Sequence, residues 1–434
     1  MAGWRGPDPV ENVSQVQLRA LQLERARASV QLAYDKVPLY KEKFDAAGVG
    51  PDDLKSLDDL QRFPFTTKDD LRKAYPFGLF AVPKDEIVRV HASSGTTGKP
   101  TVVGYNAADI EMWSGLMARS LWALGIRPQH KIHSSFGYGL FTGGMGWHYG
   151  GEKLGAMMVP ASGGFTERHV QLIHDFEPDV LLATPSYALV IADAFKSAGF
   201  DPAKSSVRTL IAGAEPWSEA LRAEIEQCWG VDAYDSYGLS EVIGPGVAQE
   251  CMGDKGALTI WEDHFLPEIV DPGSGDRLEE GEKGEVVFTS LTKQAMPVIR
   301  YRTRDVTRLL PPKDRSMRRL ERISGRTDDM LIIRGVNLFP TQIEAILAPV
   351  DQLSTHYQLE VFRGDKRMDE LIVHIETKNH ADASGGAAKE LGARTRHMIK
   401  AHSGVNVQVE ILAPETIERS QGKAKRIIDR RPKQ

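Results

Sequence analysis

The sequence predicts an α/β protein: a large N-terminal domain with parallel α/β sheets and a β-rich subdomain, followed by a small α/β C-terminal domain. Three observations carry this. Between residues 107 and 236, short apolar runs alternate with longer helical patterns, which implies right-handed crossovers and a parallel sheet. Residues 256–310 read as strands broken by the turn-rich stretches "DPGSGD" and "EEGEKGE". The polar stretch "GRTDD" at 325–329 then makes a domain boundary, which sets the domains at 1–327 and 328–434.

The 434 residues suit about two to four domains at ~100–200 residues each. Hydrophobic residues make 41% and charged residues 26%, with a net charge of −5. That is an ordinary globular composition, with no basic excess to suggest nucleic acid as a partner. Two cysteines, Cys228 and Cys251, are too few for a disulfide framework and fit a reducing compartment. The start "MAGWRGPDPVENV" has no basic region before an apolar run, and no stretch approaches the ~18 apolar residues of a membrane span. A cytoplasmic enzyme with no membrane partner is expected.

Residues 11–47 read as helical, with apolar Val16, Leu18, Leu21, Leu23 and Val30. In "FPFTTKDDLRKAYPFGLF" (63–80), Thr66 or Thr67 stands as a helix N-cap, with acids in the first turn. The alternating region then runs "DIEMWSGLMARSLWALG" (helix), "KIHSSF" (strand), "GGMGWHYGGEKLG" (helix, despite its glycines) and "AMMVP" (strand). It continues as "TERHVQLIHDF", "DVLLATP", "SYALVIADAFKSAG", "VRTLIAGAEP", "SEALRAEIEQCWG" and "VDAYDSYG", helix and strand in turn. Ligands of such sheets lie beyond the carboxyl ends of the strands, so the loops at 93–99, 135–144, 184–187, 213–217 and 236–241 are the ones to watch. Past the boundary come a helix at 341–349, strands at 355–363 and 370–376, a helix near 386–401, a strand at 405–412 and a basic tail.

Six stretches carry chemistry. "SSGTTGKP" (93–100) holds Ser93, Ser94, Gly95, Thr96, Thr97 and Lys99. Its two glycines are three apart, proline follows the lysine, and "TVVGY" reads as a strand. A Walker loop leads into a helix instead. This is therefore a hairpin-like flap, suited to polyphosphate or to nothing more than a Gly/Ser/Thr turn. "YDSYGLSE" (234–241) offers Tyr237 to stack on a flat ring and Glu241 as a Mg²⁺ ligand, or else an aromatic turn before a helix cap. "IAGAEP" (211–216) brings Gly213 and Ala214 to a strand end, where small residues admit the edge of a base or merely make a tight turn. In "YRTRD", Asp305 can accept two ribose hydroxyls or pair with a neighbouring arginine. In "SGRTDDMLIIRG", Arg326 suits ribose or phosphate, and Asp328 and Asp329 suit a hinge or a solvated linker. "SQGKAKRI" (420–427) carries Lys423 and Lys425 on a loop that reads equally well as a solvated tail.

Taken in order, these stretches resemble the adenylate-forming superfamily of acyl-CoA synthetases, luciferases and peptide-synthetase adenylation domains. More narrowly, "SSGTTGKPTVVGY", "FGYGLFTGG", "AGAEPWSE", "YGLSEVIGPGVAQEC", "WEDHF", "YRTRD" and "GVNLFPTQIE" are similar to the phenylacetate–CoA ligases over essentially the whole chain. The resemblance implies a carboxylate attacking the α-phosphate of Mg·ATP to give an acyl-adenylate and pyrophosphate. The thiol of coenzyme A then displaces AMP. It also implies that 93–99 hold the β- and γ-phosphates, and that Gly213, Ala214, Glu215 and Pro216 line the adenine. Asp235, Ser236, Tyr237 and Gly238 complete the nucleotide site, Glu241 binds Mg²⁺, and Asp305 with Arg326 holds the ribose. Asp328 is the implied pivot of a mobile C-terminal domain whose Lys425 acts in the first step only.

The aryl acid is expected among Phe136, Gly137, Phe141, Trp147 and Gly213. Two positions depart from the family: Trp147 stands where a small residue, usually alanine, is expected, and Phe136 where tyrosine is expected. Anthranilate-, benzoate-, hydroxyphenylacetate- and indoleacetate-like acids therefore stay open beside phenylacetate, as do a carrier-protein thiol in place of CoA and a homodimer as the assembly.

Overall fold

The computed structural model describes residues 4, 6–93, 100–327, 331–333, 336–363, 369–420 and 424–431. The chain opens with α1 (Gln15–Lys36) and α2 (Pro38–Ala47). The single helical stretch expected over 11–47 breaks at Val37 because Pro38 has no N–H to continue the ladder, and it serves as the first residue of the next helix. Ser14 and Gln17 form a capping box for α1. The buried stripe of α1 is Leu18, Gln22, Ala26, Ser29, Val30 and Ala33, while Val16 is 80% exposed. Gln22 is tolerated in the core because its Nε2 donates to the Glu262 carbonyl at 2.8 Å.

Thr67 is the cap of α3 (Lys68–Lys73), with Asp70 returning the bond to the Thr67 N–H. Thr66 is buried and donates its hydroxyl to the Ile299 carbonyl instead. Next, β1 (Arg89–Ser93) and β2 (Thr101–Tyr105) pair antiparallel, with Ser93 opposite Thr101. The strands flanking the hydroxyl-rich loop thus form the expected hairpin; residues 94–99 lie outside the described residues.

The alternating region follows as α4 (Ala107–Ala123), β3 (Lys131–Ser134), α5 (Thr142–Leu154), β4 (Met157–Val159), α6 (Thr166–Phe176), β5 (Val180–Ala183), α7 (Pro185–Ser197), β6 (Thr209–Gly213), α8 (Glu219–Trp229) and β7 (Asp232–Leu239). The glycines of α5 are a packing device: a Cβ on Gly150 would lie 2.2 Å from Met117, and one on Gly146 would lie 2.5 Å from Trp113, both on α4. The strands β8 (Gly244–Cys251), β9 (Asp254–Ile260), β10 (Phe265–Val270), β11 (Gly284–Ser290), β12 (Tyr301–Thr307), β13 (Leu309–Leu310), β14 (Arg319–Glu321) and β15 (Gly325–Arg326) come next. The C-terminal part holds β16 (Leu331–Ile333), β17 (Val336–Leu338), α9 (Pro340–Leu347), β18 (Leu353–Arg363), β19 (Asp369–Thr377), α10 (Gly385–Ser403), β20 (Gln408–Leu412) and β21 (Ile427–Asp429).

Two compact units emerge. The first comprises residues 1–183, 206–214 and 232–322, and the second 184–205, 215–231 and 323–434. In the first unit one sheet runs β13-β14-β9-β8-β7-β6-β5-β3-β4. Its pairs are parallel from β4 to β7 and antiparallel beyond β7. The stretch read as one β-rich region is therefore divided: β9 joins this large sheet through β8, and β10, β11 and β12 form a separate antiparallel sheet. The reason is the short reversals after β7 and β8, which return the chain to the same sheet edge. β8 itself begins "GPG", a poor strand signal, and its strand conformation comes from pairing on both sides.

The second unit has its own core, including Ile343, Leu359, Val361, Val373, Ile375 and Ile399. Its sheet is ordered β20-β19-β18-β21. The basic tail supplies β21, in which Ile427 and Ile428 pair parallel with Leu359 and Glu360. Helices α7 and α8 belong to this unit, where Trp229 Nε1 donates to the Ala188 carbonyl at 3.0 Å. Among the described residues no helix is long and apolar enough to cross a membrane.

One buried pair predicts pH behaviour. His133 on β3 and His169 on α6 meet nitrogen to nitrogen at 2.8 Å, both buried. Burial, with the second imidazole beside it, pushes His133 down to about 3. The folded state therefore holds this ring neutral, and the unfolded chain takes up the proton first as pH falls below about 6.5. This contribution is whole above that pH and is lost progressively toward pH 3. Between pH 7 and pH 5 the loss is about 2 kcal/mol. A His133→Gln variant should show a flatter melting-temperature profile over that interval than the parent, measured by calorimetry. An equal slope in both would exclude His133 as the source.

Candidate active site

The carboxyl ends of β3, β5, β6 and β7 stand side by side in the first unit. β6 and β7 are so close at Gly213 that a Cβ there would lie 2.5 Å from the Ser236 carbonyl. The next residue, Ala214, takes φ +72°, a left-handed conformation uncommon for a residue with a Cβ. The backbone is thereby turned sharply out of the sheet. Gly238 is fixed by the β7–β8 reversal, where a Cβ would lie 2.0 Å from the Gly244 carbonyl. Ser236 is buried between Gly213 and Gln249, and Asp235 forms an ion pair with Arg322, Oδ2 to Nε at 3.5 Å.

Tyr237 and Asp305 are brought together from β7 and β12: the phenol donates to Asp305 Oδ2 at 2.6 Å. Asp305 is 6% exposed, and its N–H donates to Thr303 Oγ1. Glu241, also 6% exposed, has Lys68 Nζ at 3.7 Å. Lys68 is the first residue of α3, whose start is tied to β12 by the Thr66–Tyr301 bridge. Asp305 and the cation beside Glu241 are thus held on one framework. Ser240 is joined to Thr142, the first residue of α5, at 3.0 Å between hydroxyl oxygens.

The loop after β3 carries Phe136, Gly137 and Phe141. It folds back onto the start of α5, where a Cβ on Gly144 would lie 2.6 Å from the Gly137 carbonyl and one on Gly143 2.8 Å from the Phe141 ring. Phe136 is buried, Phe141 is 37% exposed, and Trp147 is 2% exposed within the core. The ends of β3 and β6 flank β5, which sets them about 10 Å apart at ~4.8 Å per strand.

Glu215, Pro216, Arg326 and Lys425 belong to the second unit. Glu215 accepts the Ser186 N–H at 2.8 Å and the Ala424 N–H at 2.7 Å, while Pro216 is exposed. Arg326 is half-buried on β15; Lys425 is exposed, and its carbonyl accepts Gln358 Nε2 at 3.1 Å. Of the expected site residues, the side chain of Ser93 and all of Ser94, Gly95, Thr96, Thr97, Lys99 and Asp328 lie outside the described residues.

Residues 11–294 match the AMP-binding enzyme family, and residues 335–431 match the AMP-binding enzyme C-terminal domain. The chain belongs to the AMP-binding enzyme family. Within that family it is 56% identical to a phenylacetate-coenzyme A ligase of Aromatoleum evansii over 98% of both chains. It is 54% identical to the phenylacetate-coenzyme A ligase of Escherichia coli strain K12, covering 98% of this chain and 97% of that one. Among solved AMP-binding enzymes, a 2-hydroxyisobutyryl-CoA ligase in its postadenylation state with 2-HIB-AMP matches at TM-score 0.92 and 28% identity, over 99% of this chain and 95% of that one. The same ligase with 2-HIB-AMP and CoA in its thioesterification state matches at TM-score 0.74 and 29% identity, with the same coverage.

Sequence reasoning missed Lys68 and Lys293. Lys68 follows a helix cap in "TTKDD", where a lysine carries no positional signal. Lys293 is the one lysine within the mainly apolar run "VVFTSLTKQAMPVI", a placement that hints at a buried charge.

Proposed function

We propose that the chain is an ATP-dependent aryl acid–CoA ligase of the phenylacetate–CoA ligase type. The reading is carried by full-length similarity at 56% identity to a phenylacetate-coenzyme A ligase. In the first half-reaction the substrate carboxylate oxygen attacks the α-phosphorus of ATP, and the bond to the β-phosphate breaks to release pyrophosphate. In the second, the CoA sulfur attacks the acyl carbon, the acyl–oxygen bond to AMP breaks, and the thiol proton is lost to solvent.

This chain's residues divide the work. The 93–99 flap holds the outer phosphates, and Tyr237 stacks on adenine beside the strand end at Gly213 and Ala214, with Glu215, Pro216, Asp235, Ser236 and Gly238 around it. Asp305, oriented by the Tyr237 hydroxyl and helped by Arg326, accepts the ribose hydroxyls. Glu241 is a buried carboxylate among site residues, the hard oxygen donor that suits Mg²⁺ shared with phosphates. The ion, when bound, neutralises charge on the polyphosphate. Lys68 adds a fixed cation beside it. The 328–434 domain, pivoting at Asp328, delivers Lys425 for the first half-reaction. A cytoplasmic location and a homodimer complete the reading.

The acid is held between Phe136, Gly137, Phe141 and Gly213, and Trp147 supports that pocket from the core. Pyrophosphate release over a panel of aryl acids tests this. Phenylacetate should exceed benzoate- and anthranilate-like acids in kcat/KM by at least about tenfold, the scale of one or two methylene-sized contacts. A preference for an acid with the carboxyl directly on the ring would overturn the choice of substrate. Turnover with a phosphopantetheinylated carrier protein but not with CoA would overturn the choice of thiol.

A further inference from the structure

Glu215 is expected beside the adenine, yet its carboxylate is engaged elsewhere. Oε1 accepts the Ser186 N–H at 2.8 Å, and Oε2 accepts the Ala424 N–H at 2.7 Å. Ser186 lies in the first turn of α7, where N–H groups have no acceptor within the helix. Ala424 immediately precedes Lys425. One side chain therefore joins the start of α7 to the main chain that carries the lysine. Both bonds end on a carboxylate, which places them in the stronger, charge-assisted class.

A second bond nearby runs in the opposite sense. The Ser218 N–H, from the same loop, donates to Glu344 Oε1 on α9 at 3.0 Å. Glu344 is buried; its Oε2 accepts the Tyr357 hydroxyl at 3.3 Å and has Arg426 Nη2 at 3.7 Å. Arg426 also donates to the Thr355 carbonyl at 3.1 Å, and its guanidinium lies 4.3 Å from the centroid of the Tyr357 ring. The chain is thus held just before Lys425 by Glu215 and just after it through Arg426. All of these residues belong to the second unit. The side chain of Lys425 itself is exposed.

From these contacts we propose that Glu215 is a positioning residue for Lys425. The lysine stem is long and flexible, so the reach of its ammonium depends on where its main chain is held, and a small misplacement is costly in rate. The inference rests on Lys425 acting in the first half-reaction. It assigns the Glu215 carboxylate to the enzyme's own backbone, so that only the main chain of Glu215 borders the adenine.

The test follows the two half-reactions separately in the full-length enzyme by single-turnover assays. Glu215→Gln keeps the length of the side chain but leaves one oxygen to accept. It should slow acyl-adenylate formation about tenfold, the scale of one hydrogen bond to a charged group. Half-saturation by ATP, and thioester formation from a supplied acyl-adenylate, should both stay within about twofold of the parent. A role in nucleotide binding or in general stability would instead raise the half-saturating ATP or slow both halves, and either result would overturn the proposal. Ala424→Pro, which removes the donor at the other end, should slow the first half in the same way. Combined with Glu215→Gln it should lose little more than either change alone; full multiplication of the two losses would overturn the link. Lys425→Ala separates the inference from its premise. With that change in place, Glu215→Gln should cost nothing further. A slow Lys425→Ala beside an unimpaired Glu215→Gln would overturn the proposal alone, whereas an unimpaired Lys425→Ala would overturn the premise and the proposal together.

Discussion

Lys425→Ala is expected to slow acyl-adenylate formation by about 10²–10³-fold, the scale of removing one preorganised donor from a developing negative charge. Thioester formation from a supplied acyl-adenylate and CoA should stay within about twofold of the parent. The asymmetry follows from the chemistry. Only the first half-reaction brings a carboxylate against a polyphosphate, and only there is a cation needed between two anions. The main chain at this position is secured by the Gln358 bond to the Lys425 carbonyl and by β21 two residues on. Substitution should therefore remove the ammonium without unfolding the tail. Single-turnover assays of the two halves, run separately, decide the matter; equal loss in both would refute the assignment.

The second large effect is expected at the buried pair on β7 and β12. Asp305→Asn should lower kcat/KM for ATP by about 10²-fold, since hydrogen bonds to a charged acceptor are worth about 1.5–3 kcal/mol each. Tyr237→Phe keeps the ring and removes only the hydroxyl that donates to Asp305 at 2.6 Å, so about tenfold is expected. If the phenol acts by orienting the carboxylate, the double variant should lose much less than the product of the two. Full additivity would mean that the residues act independently, and an ATP KM within twofold of the parent in Asp305→Asn would remove Asp305 from the ribose site.

Legibility varied with range. Signals acting over a few residues were readable: Thr67 as a cap, the hairpin around Pro100, the alternation that makes β3 to β7 parallel, and a glycine-rich α5. Where pairing between distant strands decides the outcome, the reading failed. β8 carries no strand signal in the sequence, since "GPG" has poor strand propensity, yet two neighbouring strands supply its hydrogen bonds. β9 was grouped with β10 to β12 because strandness does not say which sheet a strand joins. β21 was hidden in a basic tail because two isoleucines are too few to show a period.

What the sequence by itself determined is the order of chemically distinct loops and their residue types: hydroxyl-rich flap, Tyr-Gly-x-x-Glu, Tyr-Arg-x-x-Asp, and a lysine near the C-terminus. Those types restrict the chemistry because phosphate, ribose and metal each accept few donors. Only the tertiary structure decided which side chains meet: the Tyr237 phenol on Asp305, Lys68 beside Glu241, and Lys293 over Tyr105. Charge acts through space and decays over ångströms, while these partners are far apart along the chain. These meetings exist only once the strands have paired.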